Sequence, residues 1–275
     1  MTARALQQVA VRMHHDPQFV EQVYDDRDRA LADEDLGPSE RLLLTQPDRR
    51  AWGADAERRQ RVLSALELEF SACCAMAEQA TGGRDCLLGF FSSSAFHQCV
   101  RSFQPLVFAF GRYLVGRSQE GLFGGNKVAA LARLELAAAK VRRTESPSPP
   151  TEGACGPLVM LRRAPWTEVL ELPEGTLELF QAMGPRRTAA GPSQLPSLSS
   201  DTSEHLIIER AQPDGSLSIG YLPEALFTIL TTAGEGVPRT ALVACARAEG
   251  AEPPQDEEVL QSLESDRLLV PLSDR

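Results

Sequence analysis

The stretch "HLIIERAQPDGSLSIGYL", His205 to Leu222, decides the fold class of this chain. Two runs rich in β-prone apolar residues flank a polar break. Asp214-Gly215 inside that break is a strong hairpin signal, because glycine accepts the positive φ that a tight turn needs. Downstream, "PEALFTILTTAGEG" reads as a helix with Pro223 near its start and Gly234 past its end. "VPRTALVACARAEG" reads as a second helix, "QDEEVLQSLESDRLL" as a third, and "LLVPL" as a closing strand. Upstream, "GPLVMLRR" reads as a short strand before Pro165, and "LPEGTLELFQAMG" as a short helix ending at Gly184. A hairpin, three short helices and a terminal strand make a winged-helix-like unit. Its expected core is Leu226, Ile229, Leu230, Leu242, Val243, Val259, Leu260 and Leu263.

The N-terminal half follows a different pattern. Asp16-Pro17 is a helix start, with an acceptor at the cap and proline at the first helical position. Phe19, Val20 and Val23 follow at helical spacing, and "GPSERLLL" begins another helix. Asp55 is a candidate cap for a long helix whose Val62, Leu63, Leu66 and Phe70 share one face. The segment from Gly125 to Arg143 is rich in Ala and Leu and ends in Lys140, Arg142 and Arg143, as suits a helix C-terminus. Nothing in this half alternates with period two. The expected class is therefore α+β: a helical bundle of about five to seven helices over 1–143, a linker over 144–156, and the winged-helix-like domain over 157–275. The linker "TESPSPPTEGACG" is rich in Pro, Ser and Gly, and a second loop of that composition runs over 184–204.

Charge divides the chain at the same place. Up to Arg143 there are 19 basic and 18 acidic residues, and beyond it 9 and 20, within a formal net charge of −10. Such a balance repels nucleic acid and anionic membrane. The third C-terminal helix carries Asp256, Glu257, Glu258, Glu264 and Asp266 against Arg267 alone, which is the wrong sign for a recognition helix beside phosphate. A protein or peptide partner fits better than DNA. No apolar run reaches about 18 residues, and the N-terminus reads as an amphipathic helix, so the expected location is the cytoplasm. The six cysteines form no CxxC pair, which signals no zinc or redox motif. His97 and Cys99 lack a third and fourth ligand, Ser92 to Ser94 lack the flanking glycines of a nucleophile elbow, and "GLFGGN" lacks the Lys-Ser/Thr of a phosphate loop. No catalytic residue, metal site or cofactor is expected in this chain.

In the stretch "PDRRAWGADAERRQRVLSALELEF", Pro47 to Phe70, five arginines crowd around Trp52. Asp48, Asp55 and Glu57 are near enough to pair with several of them, and Trp52 reads as a cap over the helical core. Together with "LGPSERLLL", "SSSAFHQCV" and "FGRYL", this stretch resembles a particular protein group over roughly residues 5 to 115. These are the partner proteins of multinuclear non-haem iron-dependent oxidative enzymes that modify ribosomally made peptides, as in methanobactin-type biosynthesis. The C-terminal half is similar in layout. The resemblance implies a non-catalytic subunit that forms a heterodimer with the iron enzyme, holds the leader of the precursor peptide, and leaves iron to the enzyme.

Two sites follow as expectations. An extended peptide of neutral or basic character would add to the hairpin, with Leu206, Ile207, Ile208, Glu209, Leu217 and Ile219 on the strands and Glu257, Glu258 and Gln261 on the flanking third helix. The enzyme would contact Arg49, Arg50, Trp52, Arg58 and Arg59. The alternatives from other classes are a transcription regulator with a helical sensor domain and a winged helix, and a stand-alone enzyme using His97 and Cys99.

Overall fold

A computed structural model describes residues 3–53, 55, 57–145, 159–183, 195–199, 201–210 and 216–272. The fold is α+β, dominated by helices, with two small antiparallel sheets of three strands each. It divides into two compact units, Met1–Leu136 and Ala137–Ala182 with Ala190–Arg275. The division falls inside a helix, seven residues before the end expected from composition at Arg143. Of the expected linker, 146–156 lie outside the described residues, as do 184–194 and 200 of the second loop.

The first unit is helical throughout: α1 (Ala3–His15), α2 (Pro17–Asp25), α3 (Arg27–Ala30), α4 (Pro38–Thr45), α5 (Arg49–Trp52), α6 (Arg58–Glu69), α7 (Ser71–Thr81), α8 (Asp85–Leu88), α9 (Ser94–Ser102), α10 (Leu106–Gln119) and α11 (Asn126–Arg143), which crosses the division. The expected start at Asp16-Pro17 is a built cap, in which Asp16 Oδ1 accepts from the backbone N–H groups of Gln18 and Phe19. The expected cap at Asp55 is not built. α6 begins at Arg58 without a side-chain cap, and the Asp55 carboxylate instead holds the guanidinium groups of Arg58 and Arg61. Phe70 also leaves the expected helix: it sits at the break between α6 and α7 with φ −124° and ψ 43°. Its buried ring then meets Phe110 edge-on at 5.5 Å, within an aromatic core that includes Phe90, Phe91 and Phe96. Helix α10 comes so close to that core that a Cβ on Gly111 would lie 2.9 Å from the Phe70 ring.

The second unit contains β1 (Met160–Arg163), β2 (Thr167–Pro173), α12 (Thr176–Met183), β3 (Ser203–Arg210), β4 (Leu217–Tyr221), α13 (Glu224–Thr232), β5 (Val237–Pro238), α14 (Arg239–Ala248), α15 (Gln255–Ser265) and β6 (Leu269–Pro271). One sheet has the order β5-β1-β6 and the other β2-β3-β4. The hairpin is present as β3 and β4, with Ile208 opposite Ile219 and Leu206 opposite Tyr221, while its turn at 211–215 lies outside the described residues. It is joined by a strand that local pattern did not announce, β2, which pairs Leu170 with Leu206 and Glu168 with Ile208. Leu161, Leu230, Leu242, Leu260, Leu263 and Leu269 form the helical core beneath. Most of the core positions expected from period 3.6 are in it, with Leu226 and Val259 half-buried at its margin.

Candidate functional site

The β3–β4 pair is the first candidate. In the order β2-β3-β4, the outer edge of β4 has no strand partner among the described residues, so its outward N–H and C=O groups are available to an incoming chain. The side chains are arranged differently from expectation. Leu206 and Ile208 are fully buried and present nothing to a ligand, while Ile207 packs half-buried against the helical core. The cause is that the sheet is covered on both faces. On the face opposite Leu206, the His205 ring stacks on Phe227 of α13 at 4.1 Å. Leu217, Ile219 and Glu209 are half-buried, and Ser218 and Tyr221 are exposed. The flanking helix is also different. α13 lies on β2 and β3, whereas α15, with Glu257, Glu258 and Gln261, packs on α14 and β6. There Arg239 of α14 holds both Glu257, at 2.9 Å, and Glu264.

Sequence reasoning missed the feature beside the β4 edge. A cavity of about 500 Å³ is lined by Glu174, Glu178, Glu204, Tyr221 and the serines at 197, 199 and 203. Glu204 is spoken for: its two oxygens cap α12 by accepting from Gly175 N at 3.1 Å and Leu177 N at 2.8 Å. Glu174 accepts from the Thr202 hydroxyl. Glu178 has no hydrogen-bond or ionic partner among the described residues. The Tyr221 hydroxyl is pushed up from its ordinary value, first by shielding from water and then by Glu204, Glu178 and Glu174. The carboxylates of Glu174, Glu178 and Glu204 give this cavity a negative field.

The second candidate is the arginine-rich stretch. Trp52 is half-buried against the core of Val9, Met13, Phe19, Val20 and Val23, as a cap. Its indole N–H donates to Tyr24 Oη at 3.1 Å, and that hydroxyl donates to the Pro47 carbonyl at 2.5 Å. Arg49 pairs with Glu21 at 2.7 Å, and Arg58 with Asp55 at 3.5 Å. Arg50 and Arg59 have no carboxylate partner among the described residues.

A third cluster has the residue types of a hydrolytic triad in a different arrangement. Asp16, Ser92 and His97 converge: His97 Nε2 lies 2.8 Å from Asp16 Oδ2, and the Ser92 hydroxyl donates to Asp16 Oδ1 at 2.7 Å. Hydrolytic chemistry needs the serine on the histidine and the histidine on the acid. Here both point at the acid, so His97 is not placed to take the Ser92 proton. Cys99 is buried, and its thiol donates to the Gln104 carbonyl at 2.9 Å. Among the described residues, no group of three or more His, Cys, Asp or Glu side chains is gathered to hold a metal ion.

Asp16 is better understood as a buried knot that ties α2 to the α9 region. Burial would raise its pKa, but the hydrogen bonds from His97 and Ser92 outweigh burial and hold the carboxyl below its usual range. A depressed carboxyl contributes stability above its unfolded value, near 3.8, and loses it as pH falls through the lower folded value. Asp16→Asn should therefore cost about 1–3 kcal/mol at pH 7 and shrink that cost below about pH 4. Urea midpoints measured from pH 7 to pH 3 test this. A pH-independent cost would show that Asp16 acts only as a neutral cap.

In comparison with known proteins, the chain matches no family model, and no curated protein is significantly similar to it. Among the described residues, no helix is long and apolar enough to cross a membrane.

Proposed function

We propose that this chain is a non-catalytic, cytoplasmic partner subunit. It binds the leader of a ribosomally made precursor peptide and presents that peptide to an iron-dependent peptide-modifying oxidase. In this proposal the first unit is a helical bundle that docks on the enzyme through the surface around Trp52. The second is a winged-helix-like domain, a reading supported by α13, α14, α15 and β6 in the expected order, with the short β5 added before α14. The iron and its ligands belong to the enzyme.

The observation that carries the peptide-binding half is the unpartnered edge of β4 beside a cavity of negative field. Strand addition supplies affinity through main-chain hydrogen bonds, and a neighbouring pocket supplies specificity. The free Glu178 carboxylate favours a Lys or Arg side chain of the leader at the Tyr221 end of β4. A transcription regulator is disfavoured by the acidic exposed face of α15, where Glu257, Glu258 and Asp266 would stand against phosphate.

The test is titration of the full chain with the leader of a precursor peptide encoded beside it. Successive residues of an antiparallel edge strand point their N–H groups alternately inward and outward. Proline at Ser218 and proline at Ile219 therefore differ: one breaks the β3–β4 ladder and the other removes only an outward donor. The variant that keeps the native far-ultraviolet spectrum should bind the leader at least about tenfold more weakly. Glu178→Lys should do the same, and added salt should weaken the native complex. Leader binding that survives both changes would sink the proposal.

A further inference from the structure

We infer that the cleft around Trp52 is a receptacle for an acidic segment of a partner protein, one that inserts an apolar side chain and sets a neighbouring carboxylate on Arg50 and Arg59. The inference rests on the docking half of the function proposed above. Its test uses the chain without any enzyme, so that the two fail separately.

The cleft, of about 210 Å³, has an apolar floor from Met13, Pro17, Val20 and Trp52. Small-molecule sites enclose about 300–1,000 Å³, so the volume suits one inserted side chain better than a whole ligand. Its shape is fixed in advance. The Trp52 N–H is tied to Tyr24, and the His14 ring leans on the indole with centroids 4.9 Å apart. A rigid aromatic wall is what an interface anchor needs, because little side-chain freedom is lost on binding.

The rim sets the sign of the occupant. Arg49 is satisfied by Glu21, and Asp55 by Arg58 and Arg61, which leaves the guanidinium groups of Arg50 and Arg59 without a carboxylate partner among the described residues. Arg59 is half-buried as well, so it carries part of the desolvation of a charge without an anion to offset it. A carboxylate offers both guanidinium groups a forked acceptor, which is the geometry arginine fits best. A neutral or basic segment would leave both guanidinium charges without a counter-charge.

The probe is the blocked peptide Ac-Glu-Leu-Asp-Glu-Phe-Glu-NH2, titrated into the full chain carrying Trp166→Phe, so that emission reports on Trp52 alone. The expected result is saturable binding with Kd on the order of 10–100 µM, weakened by salt. Arg50→Gln with Arg59→Gln should weaken it at least tenfold. Arg50→Glu alone should do likewise, and because Arg50 is exposed on a short helix, the variant keeps its fold. The amide twin, with Gln and Asn in place of Glu and Asp, should not bind measurably. No binding of the acidic peptide up to about 1 mM, equal binding of the amide twin, or indifference to Arg50→Glu overturns the inference. So does glutarate binding as tightly as the peptide, which would make this a small-carboxylate site.

Discussion

Glu135→Ala should destabilise the helical unit by about 3–5 kcal/mol, although Glu135 lies 62 residues beyond the nearer of the two groups it holds. Helix α7 starts at Ser71 behind Phe70, which offers no side-chain cap. The cap comes instead from α11. Glu135 is 3% exposed, and its two oxygens accept the backbone N–H groups of Ala72 at 2.9 Å and Cys73 at 3.0 Å. Each buried donor left unmade costs about 1–3 kcal/mol, and a carboxylate at a helix N-terminus adds about 0.3–1 kcal/mol through the helix dipole. Glu135→Gln keeps one acceptor but turns an amide N–H₂ toward the second backbone donor, so about half the loss is expected. Urea unfolding followed by Trp52 emission, in the Trp166→Phe background, reads the first unit by itself. A loss under about 1 kcal/mol for Glu135→Ala would mean that water replaces the carboxylate and that the cap is not structural.

How much of this was legible in sequence depended on distance along the chain. The hairpin strands and the three helices after them follow from local chemistry. Leu230, Leu242, Leu260 and Leu263 fall at helical spacing and are all in the core. β2 was not legible, because Glu168 and Glu171 interrupt its apolar residues and its pairing partner is β3, which begins thirty residues after β2 ends. Leu206 and Ile208 alternate as a one-sided strand would, but local pattern does not say that both faces of the sheet are covered. The break at Phe70 was hidden inside "LELEFSACC", where Leu66, Phe70, Cys73 and Cys74 keep helical spacing straight through it. At the candidate sites the same limit holds. The arginines around Trp52 are visible as composition. Which of them are neutralised is decided by Glu21 on α2 for Arg49 and by Asp55 for Arg58 and Arg61. The cavity at Tyr221 needs the turn between β2 and α12, α12 itself, the segment 197–199, β3 and β4 to be brought together, and nothing local announces it.

Phe90→Ala should cost a similar amount, about 3–5 kcal/mol, by a different mechanism. Phe90 is fully buried in a 3-10 turn, Gly89–Ser92, and its ring meets four others. Phe110 is edge-on at 5.1 Å, Phe96 edge-on at 5.5 Å, and Phe91 and Tyr113 are tilted at 5.5 Å each. Edge-to-face pairs add about 0.5–1.5 kcal/mol beyond area burial, and truncation removes all of them while leaving a cavity. Backbone collapse into that cavity is resisted nearby, since a Cβ on Gly89 would already lie 2.9 Å from the Tyr113 hydroxyl. Phe90→Leu refills most of the volume and should cost only about 1–2 kcal/mol. The 3-10 turn also packs against α1 and α2, which carry Met13, His14 and Val20 into the Trp52 cleft. Phe90→Ala should therefore lower the melting temperature of the first unit by roughly 10 °C and weaken the acidic peptide as well, while Phe90→Leu leaves peptide affinity near native. Full peptide affinity in a Phe90→Ala protein that has lost that stability would show that the cleft is held by α5 and the Tyr24–Trp52 hydrogen bond alone.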